Sequence, residues 1–290
     1  MRVRGAGVCH TDLHMIDGLW PELPLPRVLG HEIAGEADGI GPVLVYPCWG
    51  CGACELCRRG EEQLCPNAAE AGWVRDGGYA ELVLVPSRRY LLPLRGLDPV
   101  RAAPLADAGV TPYRAVRRVR GWLRRGGTAL VIGAGGLGQF AVQYLKLLTT
   151  ARVVAVDLDE RKRAAARELG ADEAVSPEQV GELGRAGVVL DVVGSNETLA
   201  LSAATVEPTG IVVQIGEAGG RVSFGHATVP AEAHFTTASW ASIDDLKAVL
   251  EHANRGEVTW RVETLPLARI NEGLDRVRRG DVVGRLVITP

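Results

Sequence analysis

The sequence is poor in the features that mark several protein classes. No apolar run approaches the roughly 20 residues needed to span a bilayer. The opening, MRVRGAGVCHTDLH, has neither a long apolar stretch nor a small-residue cleavage site, so it does not read as a signal peptide, and a cytoplasmic location is expected. Charge of one sign is also scarce. The net charge of 290 residues is −3, a balance that implies no nucleic-acid and no membrane partner. Only three of the 32 basic residues are lysines, Lys146, Lys162 and Lys247; the excess of arginine fits GC-rich coding better than a binding surface. Internal repeats and low-complexity linkers are missing. Cysteine is absent after residue 65: Cys9, Cys48, Cys51, Cys54, Cys57 and Cys65 all fall in the first quarter. That is not the spread of a disulfide framework, and a reducing compartment disfavours such bridges.

What is present is enough apolar residue, 47%, for two domains. Residues 1–105 are rich in Gly, Pro and short β-type runs such as PVLVY (42–46) and YAELVLV (79–85), and read as an irregular, mostly β domain. From about residue 112 strands and helices alternate. TALVI (128–132) suits a buried parallel strand, and LGQFAVQYLKLL (137–148) has apolar residues at helical spacing. RVVAV (152–156), the charged helix ERKRAAARELG (160–170), VVLDVV (188–193) and IVVQI (211–215) continue the alternation. This is an α/β pattern with a doubly wound parallel sheet. A helix at 243–256, a short helix near 269–279 and a last strand GRLVIT (284–289) close the chain. The expected domains are 112–240 for the doubly wound part, with 1–111 and 241–290 forming the other.

VIGAGGLG places Gly133, Gly135 and Gly138 as G-x-G-x-x-G between a strand and a helix, with Asp157 ending the next strand. That context makes the pattern a dinucleotide fingerprint. Gly133 allows the tight turn, Gly135 a close approach of backbone to pyrophosphate, and Gly138 close packing of helix on strand. Gly136 and Leu137 complete the turn that leads the helix N-terminus to the phosphates. Asp157 accepts from the adenosine ribose and repels a 2′-phosphate, which favours NAD over NADP; Arg161 and Arg163 stand nearby.

Cys51, Cys54, Cys57 and Cys65 lie within fifteen residues. Four thiolates on short spacers match a closed structural zinc site. A rival is an iron–sulfur cluster, echoed by Cys-x2-Cys-x2-Cys and by Cys65-Pro66, but the seven-residue last gap breaks that pattern. Cys48 reads as a small loop residue. Cys9 (GVCHTDLH) and His31 (LGHEIAG) remain, and PLADAGVTPY (104–113) supplies Asp107. A Cys, a His and a carboxylate brought together before a nicotinamide would make a zinc site with an open position. The bland alternatives are packing for Cys9 and His31, a helix cap for Asp107 and a surface residue for His14.

These motifs, together with GHE, GGYAE (77–81) and the GRLV ending, occur in one order along nearly the whole chain. The sequence resembles the zinc-dependent medium-chain alcohol dehydrogenases, in the bacterial secondary-alcohol-type branch where aspartate replaces a cysteine ligand. The resemblance implies a Rossmann domain beside a GroES-like catalytic domain, two zinc ions and NAD. It implies catalytic zinc on Cys9, His31 and Asp107, and Glu32 as a carboxylate that can approach the metal. Asp12 would orient His31. Thr11 would take the alcohol proton, relayed through the cofactor ribose to His14. Thr111 would lie beside the nicotinamide, His10 near the pyrophosphate, and Arg285 on the phosphates. Trp20, Trp73 and Trp240 are candidate pocket walls, with Trp240 the choice. The implied activity is interconversion of a primary or secondary alcohol with an aldehyde or ketone, in a homo-oligomer (dimer or tetramer). The alternatives are a polyol or sugar dehydrogenase of the same superfamily, or a non-catalytic NAD-binding remnant with only the structural zinc.

Relatives carry a few dozen residues before GVCHTDLH, and the segments at 39–47 and 176–188 are shorter here. The catalytic domain therefore reads as shortened, with exposed β edges expected.

Overall fold

The computed structural model describes every residue except Pro24 and Arg125. Two compact units form, one from Met1–Val110 with Ser239–Pro290 and the other from Thr111–Ala238.

The chain enters as β1 (Arg2–Gly7), whose exposed Arg2 and Arg4 alternate with buried Val3 before the strand becomes fully enclosed. Cys9, two residues past its end, is the N-terminal cap residue of helix α1 (His10–Ile16), where the Asp12 carboxylate accepts the Cys9 N–H at 2.9 Å. That bond satisfies one of the orphan donors of a helix start. β2 (Glu32–Ala37) and β3 (Gly41–Val45) follow as an antiparallel hairpin, then the short β4 (Cys48–Trp49). Cys48 is thus a buried strand residue rather than a loop position. Helix α2 (Glu55–Arg58), β5 (Ala69–Glu70), β6 (Leu91–Pro93) and helix α3 (Pro99–Ala102) complete this part.

Helix α4 (Val110–Val119) leads into β7 (Thr128–Ile132), α5 (Gly138–Leu148), β8 (Arg152–Val156), α6 (Glu160–Glu168) and β9 (Glu173–Val175). Then come β10 (Ala186–Asp191), α7 (Asn196–Thr205), β11 (Val206–Gln214) and β12 (His234–Thr237). The six strands stand in the order β12-β11-β10-β7-β8-β9, all parallel. This is the doubly wound order, reversing between β7 and β10. β7, β8 and β10 are almost continuous runs of Val, Ile, Leu and Ala because both sheet faces are covered; Leu130, Val154, Val189 and Val212 share one core cluster. Burial of Phe140, Tyr144 and Leu145 on α5 stabilises its seat by about 1.5–3 kcal/mol for each side chain.

The chain ends with α8 (Ile243–Asn254), β13 (Val262–Pro266), α9 (Ile270–Arg278) and β14 (Arg285–Thr289). The first unit's sheet runs β13-β14-β1-β2-β3-β6, so the last strand lies directly against the first. Val8, Leu13, Val277, Leu286 and Ile288 pack together beside it.

The shortened 39–47 stretch still forms a paired strand, because β3 bonds both β2 and β6. The run at 79–85 does not form the strand expected of it. Met1 and Val83 exchange backbone hydrogen bonds, and Arg2 and Leu82 form an isolated bridge. Leu82 and Leu84 stay 63% and 87% exposed. No helix among the described residues is long and apolar enough to cross a membrane.

Candidate metal centres and dinucleotide turn

Cys9 at the head of α1, His31 just before β2 and Asp107 just before α4 come from three distant stretches. Their ligand atoms all lie within 4.8 Å of one another, and all three residues are buried. Asp107 Oδ2 stands 3.7 Å from Cys9 Sγ and 3.6 Å from His31 Nε2. A tetrahedral zinc with the usual ligand lengths sets such pairs about 3.4–3.6 Å apart, so the donor set fits one ion. Asp107 is not the cap of α4, which begins three residues later.

The charges favour a cation at this point as well. Burial disfavours an imidazolium at His31, yet Asp12 and Asp107 outweigh it and hold the ring's pKa well above the ordinary value. Asp12 Oδ1 faces His31 Nδ1 at 3.5 Å, and its carboxylate accepts from Tyr79 Oη at 2.7 Å. Burial pushes the Asp12 carboxyl up, but His31, the Cys9 N–H and Tyr79 hold it below the usual range. A metal on Nε2 would satisfy the same oxygens with neutral imidazole, oriented by Asp12.

Glu32 lies behind the three donors and is fully buried. It accepts from the Ala108 N–H at 3.0 Å and from Arg285 Nε at 3.0 Å. Arg285 Nη2 also stands 3.7 Å from Asp107 Oδ2. Burial raises the Glu32 pKa, and Arg285 opposes that rise. The carboxylate fits only because residue 7 is glycine: a Cβ there would lie 1.8 Å from Glu32 Oε2. Gly7→Ala is therefore expected to displace Glu32 and lower the unfolding free energy by about 1–3 kcal/mol. Urea denaturation measures it, and parental stability would contradict this packing.

The four-cysteine loop closes on itself. Cys51 Sγ lies 3.9 Å from Cys57 Sγ, and Cys54 Sγ lies 3.7 Å from Cys65 Sγ. Sulfurs 2.3 Å from a tetrahedral zinc are about 3.8 Å apart. The spacing exceeds any disulfide, and it is too tight to enclose a four-iron cluster. N–H groups point at the sulfurs: Ala53 and Cys54 donate to Cys51, Cys57 to Cys54, and Asn67 to Cys65. The Ala53 and Cys54 donors bring the Cys51 thiol down to about 6, while burial and the neighbouring thiols push Cys57 up to about 12. A cation among the four sulfurs would let all of them be thiolates at this spacing.

In the second unit, Gly133 has φ +96°, and a Cβ there would meet Val192 and Val193 at 2.9 and 2.8 Å. A Cβ on Gly138 would lie 1.9 Å from the Gly133 carbonyl oxygen, whereas Gly135 faces open space. These are the steric needs of a phosphate-binding turn, with room kept for a ligand at its middle glycine. Gly136 and Leu137 complete the turn, and Leu137 is the N-terminal cap residue of α5. Asp157 Oδ2 accepts the Ala134 N–H at 2.8 Å and Oδ1 accepts the Asp159 N–H at 2.9 Å. Arg161 grips Asp159, and Arg163 donates to the Asp157 carbonyl and to Glu160.

Residues 1–96 match the model of the alcohol dehydrogenase GroES-like domain, and 136–255 match that of the zinc-binding dehydrogenases. An NAD-dependent alcohol dehydrogenase of Sulfurisphaera tokodaii is 36% identical over all of this chain and 92% of its own. The crystal structure of an alcohol dehydrogenase from Aeropyrum pernix superposes with a TM-score of 0.93, at 36% identity, over 100% of this chain and 91% of that one. The chain belongs to the zinc-dependent medium-chain alcohol dehydrogenases. A D-arabinose 1-dehydrogenase (NADP(+)) of Saccharolobus solfataricus is also similar, at 34% identity over 100% of this chain and 89% of its own.

In this dehydrogenase the other expected residues fall as follows. Thr11 Oγ1 lies 3.5 Å from Cys9 Sγ. His10 and His14 occupy successive turns of α1 with ring centroids 6.5 Å apart, and His10 is exposed. Burial lowers the His14 pKa against the pull of Asp17. Thr111 is buried in α4. Arg285 departs from expectation: instead of reaching for phosphates, its side chain is buried against Glu32 and Asp107. Trp240 sets its ring edge-on to His31 at 5.0 Å, with a strained φ of +51°. Trp20 and Trp73 pack at 4.4 Å and line a mostly apolar pocket with Met15, Leu23, Leu25, Leu29 and Arg27. The sequence named both tryptophans but gave no reason to pair them.

Proposed function

We propose that this NAD-dependent dehydrogenase oxidises small apolar primary or secondary alcohols to aldehydes or ketones. The observation that carries this reading is the convergence of Cys9, His31 and Asp107 on one point. Zinc, when bound, supplies a Lewis acid that favours loss of the alcohol proton, and the nicotinamide accepts the hydride. Cys9, His31 and Asp107 hold that ion, with Asp12 fixing the imidazole. Thr11, beside Cys9, receives the hydroxyl proton, and His14, one turn along α1, passes it to solvent. A depressed pKa keeps His14 neutral and able to accept. Glu32 is the carboxylate kept within reach of the metal. Cys51, Cys54, Cys57 and Cys65 hold a second, structural ion. Gly133, Gly135, Gly136, Leu137 and Gly138 seat the pyrophosphate, Asp157 the ribose, and Thr111 and His10 flank the cofactor. A remnant holding only the structural ion would leave the three buried donors without a purpose.

The Trp20–Trp73 pocket supports an apolar alcohol over a sugar, because Arg27 is the one charged residue in a lining otherwise made of Trp, Leu, Met, Pro and Gly. Trp240 adds an aromatic wall beside His31. Comparing 1-hexanol, benzyl alcohol and cyclohexanol with D-arabinose tests this. The expected kcat/KM favours the alcohols by about a hundredfold or more, since a buried polar substrate group without partners costs about 1–3 kcal/mol each. Preference for the sugar would transfer the reading to the sugar-dehydrogenase alternative. Family resemblance supports a homo-oligomer, and six free thiols suit the reducing cytoplasm. Sedimentation velocity tests the assembly.

A further inference from the structure

Asp191 ends β10 at the point where the strand order reverses, and it is fully buried. It pairs in register with Ile132 on one side and Gln214 on the other. Its Oδ1 accepts the N–H groups of Val193 at 2.9 Å and Gly194 at 2.8 Å. Its carbonyl oxygen accepts those of Ile215 and Gly216, at 2.7 and 3.1 Å. Oδ2 has no hydrogen-bond partner among the described residues. It faces Thr198 and Ser202, whose hydroxyls donate to the carbonyls of Ser195 and Thr198. A buried carboxylate is costly even with the hydroxyls of Thr198 and Ser202 beside it, so something beyond strand pairing retains it.

The turn that Asp191 holds is packed backbone on backbone. A Cβ on Gly194, whose φ is +73°, would lie 2.0 Å from the Gly216 oxygen. One on Gly216 would lie 2.3 Å from Val193 backbone, and one on Gly220 would lie 2.3 Å from the carbonyl carbon of Ser195. On the other side, Val192 and Val193 close on Gly133. The 192–195 turn is therefore seated between the phosphate-binding turn after β7 and the segment after β11. Open parallel sheets take ligands at such carboxyl ends.

We propose that Asp191 is a positioning residue for the dinucleotide: its carboxylate fixes the 192–195 turn as a rigid wall of the cofactor site. The inference rests on the dinucleotide reading of the glycine turn. Asp191→Ala leaves two N–H groups without their acceptor and frees the turn, while Asp191→Asn keeps an oxygen at the Oδ1 position. Fluorescence titration with NADH is expected to show affinity about tenfold weaker for Asp191→Ala and within about threefold of parent for Asp191→Asn. KM for NAD rises in step, while KM for the alcohol and the zinc content stay unchanged. A merely structural role would lower the melting temperature of both variants without this split. Hydrogen exchange on the unmodified protein gives a second measure: the amides of 193–195 slow about tenfold or more when NADH is added. Parental NADH affinity in folded Asp191→Ala, or amides indifferent to NADH, overturns the inference alone. Failure of the unmodified protein to bind NADH overturns the dinucleotide reading itself.

Discussion

Cys9→Ser is expected to lower kcat/KM for alcohol oxidation by about 10³-fold or more, because a Lewis acid contributes several kcal/mol to the transition state. The thiolate is one of three donors around a point where Asp107 Oδ2 lies within 3.7 Å of both partners. Without it the set retains one imidazole and one carboxylate, and Arg285 stands 3.7 Å from that carboxylate as a competing cation. The zinc content should fall from two ions to one. NADH affinity should stay within about twofold of parent, since the glycine turn belongs to the other unit and takes none of its residues from the metal centre. Metal analysis, steady-state kinetics and NADH titration on one preparation check all three expectations. Undiminished turnover with one zinc would remove the three-donor centre from the reaction.

The second large effect concerns stability. Cys57→Ala should cost the other ion and lower the unfolding midpoint by at least about 10 °C, given the folding energy that structural zinc supplies. Cys57 is buried, its N–H caps Cys54 Sγ, and its own sulfur faces Cys51. The lobe from 50 to 67 has little regular structure besides one turn of helix and a short 3-10 turn, so the ion replaces a hydrophobic core there. Calorimetry with metal analysis tests this. A midpoint unchanged after loss of one zinc would show that the loop holds itself without the ion.

The doubly wound unit was legible because its signals are local. Continuous apolar runs gave β7, β8 and β10 directly, and the glycine spacing with Asp157 gave the turn. Cys9, His31 and Asp107 were nameable as residue types in suggestive settings, but their meeting depends on pairing between β1 and β2 and on the 103–107 segment beside them. What escaped sequence reading was long-range. Arg285 and Glu32 are 253 positions apart, so nothing in GRLV indicates a buried ion pair. The alternation in YAELVLV indicated a strand, yet its pairing with residues 1–3 amounts to one bridge and three backbone bonds. Trp20 and Trp73 meet only because the chain returns from the cysteine lobe beside α1. Asp191 lay inside a strand pattern, where a carboxylate among valines signals burial without saying for what.

β14 lies beside β1, and its first residue, Arg285, grips Glu32 next to the metal donors. A ribosome must therefore add 253 positions after Glu32 before the guanidinium that balances it emerges. Thiol, imidazole and carboxylate all precede that guanidinium by a long stretch of chain. An ion captured in the interval would sit in a provisional cradle, closed only when Arg285 reaches Glu32.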